Sequence, residues 1–231
     1  MNGIFITGTD TGVGKTLVTA GLAAALRKRG INAGVMKPVH TGCKTKNSRL
    51  IPEDSIQLIK AAAVDDPAEL ITPYIFKEPV APYVAAEETN TVIDIGKIIK
   101  SFKALSKRHE FMLVEGIGGV MVPIKKGIYV ADLIKKLCLP AIIITRPDLG
   151  TINHTLLTIN YMKMKKIPIT GIVINYMKKG RNTLAEKRCP AILEKLSGIP
   201  VIGIIPCISM KNPVNHNSFE KLADVLLNPL L

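Results

Sequence analysis

The sequence predicts an α/β fold, a doubly wound and mainly parallel sheet with helices on both faces. Three observations carry this. Short apolar stretches alternate with helical periods along all 231 residues. Several of the apolar stretches are hydrophobic at consecutive positions, as in Ala141-Ile142-Ile143-Ile144 and Gly171-Ile172-Val173-Ile174, which is the pattern of strands buried on both faces. A glycine-rich turn also joins the first such stretch to the first helical period.

Residues 3–7 are the first predicted strand. Residues 15–29 form an Ala- and Leu-rich helix closed by Gly30 as the residue after the cap. Residues 33–37 are the second strand, and 54–63 and 94–107 have helical period. Residues 111–115 form a strand that ends in an acid, followed by a helix over 129–137 and a β-branched strand over 141–145. Then come a helix over 152–165, a strand over 169–175, a helix over 182–196, a strand over 201–205 and a closing helix over 216–227. Residues 71–88, with Pro73, Pro79 and Pro82, are expected to run over the surface as a loop or short edge segment. No repeat, low-complexity tract or linker interrupts the pattern, so residues 1–231 read as one domain.

Composition sets bounds on function. Hydrophobic residues make up 47% of the chain, too many for a disordered one. No apolar run approaches the roughly 18 residues that would span a bilayer, and the first residues have neither the basic nor the apolar region of a secretory signal. Cys43, Cys138, Cys189 and Cys207 are scattered without a CxxC pair, which argues against zinc ribbons and for a reducing, cytoplasmic location. The formal charge of +13 favours anions as partners. With 4% aromatic residues, no Trp and lysines spread along the whole chain, a nucleic-acid platform is poorly supplied, and neither nucleic acid nor membrane is expected as a partner.

The strongest motif is Gly8-Thr9-Asp10-Thr11-Gly12-Val13-Gly14-Lys15-Thr16, between a predicted strand and a predicted helix. Its glycines let successive N–H groups turn toward phosphate oxygens, and the helix start adds the positive end of its dipole. Lys15 is positioned to reach the β- and γ-phosphates, and the Thr16 hydroxyl to ligate Mg²⁺. Five residues separate Gly8 from Gly14 where four are usual, so this is a variant of the P-loop, and the fold expected is P-loop NTPase-like.

A P-loop needs an acid for its metal at the end of a neighbouring strand. Glu115 meets this at the end of Phe111-Met112-Leu113-Val114, with Gly116, Gly118 and Gly119 allowing close approach to a ligand. Asp54, at a helix start, is either a second metal ligand or an acid favoured there by the helix dipole. Lys37 closes the second strand on the side where parallel sheets bind ligands, and could hold developing negative charge or extend into solvent. None of the four histidines has a metal-ligand spacing.

With these residues in view, the chain resembles the ATP-dependent dethiobiotin synthetases of biotin biosynthesis. The matching stretches are residues 7–16, Lys37-Pro38-Val39-His40-Thr41-Gly42, the Asp54 helix start, Pro73-Tyr74-Ile75-Phe76 with Glu78-Pro79, and Val114-Glu115-Gly116-Ile117-Gly118-Gly119. Leu149-Gly150-Thr151-Ile152-Asn153-His154, Val173-Ile174-Asn175 and Gly203-Ile204-Ile205-Pro206 come after them in family order, and the longer P-loop is the family's own form.

The resemblance implies a C–N-forming cyclo-ligase. It takes 7,8-diaminononanoate, CO₂ (or bicarbonate) and ATP to dethiobiotin, through a carbamate and a carbamic-phosphoric anhydride. It also implies a homodimer. Lys37 and Lys15 would be catalytic, and Thr16, Asp54 and Glu115 would hold Mg²⁺. Gly12, Val13, Gly14, Lys15, Thr16, Leu17, Gly116, Ile117 and Gly118 would surround the nucleotide phosphates, with Asn175, Tyr176, Ile205, Pro206 and Cys207 toward adenine. Thr11 and Thr41 would meet the diamine, and Gly150, Thr151, Ile152 and Asn153 its carboxylate across the dimer. Thr41 stands where the family commonly has Ser, and Tyr83 where it often has His.

Three rivals share part of this pattern. A partitioning or septum-placement ATPase would carry a lysine five residues before Lys15, where this chain has Asp10. An amidating synthase of cobalamin biosynthesis would need an appended glutaminase domain, for which 231 residues leave no room. A basic nucleic-acid module would give Gly14-Lys15-Thr16 no role.

Overall fold

The first strand of the chain lies at the centre of its sheet. The computed structural model describes residues 2–176, 183–208 and 216–227. Within them, β1 (Gly3–Gly8), α1 (Lys15–Lys28), β2 (Ala33–Met36), β3 (Val39–His40), β4 (Lys44–Lys46) and β5 (Arg49–Ile51) come first. They are followed by α2 (Glu53–Ala62), α3 (Ala68–Ile71), β6 (Tyr74–Ile75), α4 (Pro82–Glu88), α5 (Ile95–Ser106) and β7 (Phe111–Gly119). Then come β8 (Pro123–Lys125), β9 (Ile128–Tyr129), α6 (Val130–Leu137), β10 (Ala141–Thr145), α7 (Thr151–Met164) and β11 (Ile169–Asn175). Finally there are α8 (Leu184–Ser197), β12 (Val201–Ile205) and α9 (Asn217–Leu227).

Six strands form one sheet in the order β12-β11-β10-β1-β7-β2, every pairing parallel. Its central strands are covered on both faces, so Phe5, Ile6, Val114, Ile142, Ile143, Ile144, Val173 and Ile174 are almost fully shielded from water. Each such side chain contributes about 1.5–3 kcal/mol on burial, which is why these runs are apolar without alternation. The carboxyl ends of β1, β7 and β10 therefore gather at one edge of the sheet, where parallel α/β sheets hold their ligands.

Helix α1 begins at that edge. Gly14 precedes it with φ 89°, a left-handed conformation that a side chain would strain, and no acid occupies its first turn. Its N-terminal N–H groups and dipole are thus left to an external anion, while Arg27 and Lys28 offset the other end. The predicted Gly30 follows the cap with φ 76°. Helix α9 packs on α1: the Phe219 ring lies where a Cβ on Gly21 would come within 2.4 Å of it, and Arg29 bonds Asp224 at 2.7 Å and the Glu220 carbonyl at 2.8 Å.

The structure adds the short helix α3 and the β3–β6 pair, and departs from the sequence reading in four further places. Residues 71–88 are not simply a loop, because α4 starts at Pro82; proline fits the first turn of a helix, where its missing N–H costs nothing. Two short hairpins, β4–β5 and β8–β9, join the ends of larger elements. The first turns through Asn47 and Ser48, both at positive φ, which two-residue hairpin turns require. Third, β7 runs on through the glycines to Gly119, so Glu115 lies inside the strand; its ladder with β1 nevertheless breaks just after Ile6↔Glu115 and resumes at Gly8↔Gly119. Fourth, α8 begins at Leu184 under a Thr183–Glu186 capping box, and residue 182, the predicted start, lies outside the described residues.

Candidate active site

The loop between β1 and α1 wraps around the ammonium group of its own lysine. Lys15 Nζ donates to the Asp10 carbonyl at 2.9 Å, and the turn runs through Gly12 (φ 69°) and Gly14. A Cβ on Gly8 would stand 2.7 Å from Val13 Cγ2 and 3.1 Å from Lys15 Nζ, so only glycine admits this closure. The first part of the loop is docked on β10 and the turn after it. Thr9 N donates to the Ile144 carbonyl at 3.0 Å, the Thr9 and Thr145 hydroxyls lie 3.2 Å apart, and Arg146 Nη2 is 3.4 Å from Asp10 Oδ2.

Opposite the loop, four side chains from four elements meet. Glu115 is buried at the break in β7, and its Oε1 accepts from Thr16 Oγ1 and from Lys37 Nζ, each at 2.8 Å. Lys37 follows β2 and also donates to Asp54 Oδ2, from the first turn of α2. His40 Nε2 lies 3.8 Å from the same Asp54 oxygen. Burial is the largest influence on Lys37 and would lower its pKa, but the charges and hydrogen bonds of Glu115 and Asp54 outweigh it and raise it. Asp54 is likewise opposed by burial and held below the usual carboxylate range by Lys37. For Lys15 the compensation falls short: burial brings it down to about 8, against weaker opposing pulls from Glu115, Asp10 and Asp54. Burial and the Lys37 charge lower His40, keeping its imidazole neutral.

These groups line a cleft of ≈ 710 Å³. It brings together the predicted Thr11, Gly12, Gly14, Lys15, Thr16, Lys37, Thr41, Asp54, Glu115, Gly116, Ile117 and Gly118. Val13, Leu17, Asn175, Tyr176, Ile205, Pro206 and Cys207 lie off this cleft, as do Gly150, Thr151, Ile152 and Asn153. Asn175 is buried behind the loop, where its amide donates to the Val13 carbonyl at 2.9 Å, and Tyr176 N bonds the Ile205 carbonyl at 2.9 Å. Thr151 turns its hydroxyl inward to Thr145 at 2.6 Å, so its side chain is spent on the core. The cleft also contains Asp10, His40, Pro79, Val80, Ala81 and Val122, which the sequence reading did not single out as site residues; Asp10, His40 and Pro79 fall within stretches that it did mark.

The donors at the acid cluster suit a hard divalent cation. Two carboxylates and a hydroxyl offer only oxygen, and Glu115 Oε2 is buried without a hydrogen-bond partner among the described residues. No group of three or more His, Cys, Asp or Glu forms a metal cage among the described residues.

The family model described as "AAA domain" matches residues 2–214. Among curated proteins, the ATP-dependent dethiobiotin synthetase BioD of Nitrosopumilus maritimus is 45% identical, covering 97% of this chain and 98% of its own. The protein of that name from Thermodesulfovibrio yellowstonii is 43% identical over 91% and 90% of the two chains. Among solved structures, the MinC:MinD cell division protein complex of Aquifex aeolicus matches with TM-score 0.62 at 19% identity, over 99% of this chain and 96% of that one. The septum site-determining protein MinD complexed with Mg-ADP from Pyrococcus horikoshii OT3 matches with TM-score 0.59 at 16% identity, over 96% and 94%. At such identities the structural matches speak for the fold, which is P-loop NTPase-like.

Proposed function

This chain belongs to the ATP-dependent dethiobiotin synthetase family, a ligase family that forms C–N bonds at the expense of ATP, and we propose that the cleft between the phosphate loop and the acid cluster is where it does so. The substrates are 7,8-diaminononanoate, CO₂ and ATP. One amine adds to CO₂ and loses a proton to give a carbamate. The carbamate oxygen attacks the γ-phosphorus and ADP leaves. The second amine then attacks the carbonyl of the mixed anhydride, phosphate leaves, and the cyclic urea of dethiobiotin is formed.

Each group has a task. Lys15 and the N–H groups from Gly12 to Thr16 grip the β- and γ-phosphates, with Leu17 completing the first helical turn. Lys37 faces the transferring phosphoryl group and the carbamate, where its charge matches the negative charge that develops. Thr16, Asp54 and Glu115 would hold Mg²⁺, which when bound supplies charge neutralisation to the phosphates. Gly116, Ile117 and Gly118 form the floor. Thr11 and Thr41 contact the diamine. Asn175, Tyr176, Ile205, Pro206 and Cys207 flank adenine beyond the loop.

The substrate carboxylate lies at the start of α7, on the N–H groups from Gly150 to Asn153, in a homodimer. The exposed apolar side chains of Leu149, Leu157 and Met164 on and beside α7 support a partner chain on that face. A cytoplasmic location suits the free thiols of Cys43, Cys138 and Cys189; no helix among the described residues is long and apolar enough to cross a membrane.

The observation that carries this reading is the convergence of two buried lysines, two acids and one hydroxyl on a single cleft. A coupled assay with 7,8-diaminononanoate, bicarbonate, Mg²⁺ and ATP tests it. ADP and dethiobiotin are expected in equal amounts, and only with all components present. Equal ADP release without the diamine would instead mark a regulatory ATPase.

A further inference from the structure

Where the phosphate loop meets the start of α7, four threonine hydroxyls share one bonding centre. Thr145, the last residue of β10, is fully buried. Its Oγ1 lies 3.2 Å from that of Thr9, 2.6 Å from that of Thr151 and 2.9 Å from that of Thr155. A hydroxyl donates one hydrogen bond and accepts two, so these three neighbours use all of its capacity. Thr151 and Thr155 are four residues apart and so share one face of α7. Thr9 belongs to the loop. Two further ties join the loop to β10 and the turn after it: Thr9 N to the Ile144 carbonyl at 3.0 Å, and Arg146 to Asp10 at 3.4 Å. All three fall on Thr9 and Asp10, in the first half of the loop.

From this junction we infer that Thr145 is a positioning residue for the ligase reaction, holding the phosphate loop at a fixed separation from the start of α7. The inference rests on the proposed function, which puts the triphosphate on the loop and the diamine's carboxylate on α7. Packing alone does not call for a threonine there. Valine has the same shape, and the preceding residues Ile142, Ile143 and Ile144 are apolar. What valine lacks is the hydroxyl that couples the two half-sites. If the separation drifts, ring closure suffers most. Water then replaces the second amine at the anhydride carbonyl, phosphate leaves and the carbamate is regenerated, so ATP is consumed without product.

The test compares Thr145→Val with Thr145→Ser, reading kcat, KM for ATP, melting temperature, and ADP formed per dethiobiotin. Misplacement of about 1 Å can cost about a hundredfold. Thr145→Val should lower kcat by about ten- to a hundredfold, leave KM for ATP within about threefold, and raise the ADP-to-dethiobiotin ratio above one. Thr145→Ser should restore rate and ratio. A Thr145→Val enzyme with kcat within about twofold of the parent and a ratio of one would overturn the inference. So would equal losses in both variants at a ratio of one, since a structural defect does that. If Thr145→Val does not fold, Thr9→Val, which cuts only the loop side of the junction, is judged by the same ratio. A parent chain that makes no dethiobiotin would overturn the proposed function, and this inference with it.

Discussion

Two buried lysines face one cleft and are treated in opposite ways. Lys15 meets a backbone carbonyl, and burial brings its pKa down to about 8. Lys37 meets two carboxylates, which more than offset burial and raise its pKa. The contrast separates a group that lacks counter-charge from one that has it already. On the proposed function Lys15 would be completed by an arriving phosphate, whereas Lys37 carries a secure charge at neutral pH before anything binds. A chain with 31 Lys and Arg against 18 Asp and Glu has positive charge to spare, yet it sets two of its acids in contact with Lys37, while Lys15 bonds a backbone carbonyl.

The largest effect that would break this comparison is on catalysis. Lys37→Ala is expected to lower kcat by about three orders of magnitude, while nucleotide titration followed by fluorescence changes little. An unchanged rate would remove Lys37 from the chemistry. Next in size, Lys15→Met should weaken ATP binding by about a hundredfold, the usual consequence of deleting one partner of a buried charge pair.

The third effect is one of pH. ATP should bind the charged form of Lys15, so affinity should fall as pH rises above about 8. Calorimetry in two buffers near pH 9 should then detect proton uptake on binding, and Lys15→Met should abolish it.

The smallest effect is on stability, and its sign differs between the two groups. Lys15 binds fewer protons folded than unfolded between about 8 and the ordinary 10.5, so its contribution to stability rises with pH across that window. Lys37 does the reverse: its contribution is complete below 10.5 and is lost as pH rises through its higher folded value. Without nucleotide at pH 7, Lys15→Met should therefore raise the melting temperature by about 2–4 °C per kcal/mol relieved. Lys37→Met should lower it, because two acids lose their counter-ion. Differential scanning fluorimetry with both variants checks the pair.

Much of this was legible in the sequence, and the limits have physical reasons. Consecutive apolar runs marked the six strands of the sheet, since burial on both faces removes alternation. The Gly14-Lys15-Thr16 end of the loop, Glu115 and Lys37 were found because each sits at or just past the carboxyl end of an apolar run, where a parallel sheet opens to its ligand. Asp54 was ambiguous, because an acid in a first helical turn has a local explanation; the structure adds its contact with Lys37. The β4–β5 hairpin is too short and polar to show a period, although Asn47-Ser48 was its signal. Pro82 read as a breaker when it was a helix start. Thr145 and Arg146 were not seen, because nothing local distinguishes a strand-end threonine whose partners lie 136 residues earlier in the loop and up to 10 residues later in a helix.

Strand β1 is sandwiched between β7 and β10, with Ile6 opposite Glu115 on one side and Phe5 opposite Ala141 on the other. As the chain leaves the ribosome, this apolar strand must wait with both edges bare until more than a hundred further residues have been made. Such long-range pairing slows folding and leaves nascent chains prone to aggregation. Phe219, seated against Gly21, comes later still. Competence for nucleotide is therefore a late event in synthesis, and ribosome-stalled chains ending before residue 141 should not be retained on immobilised ATP.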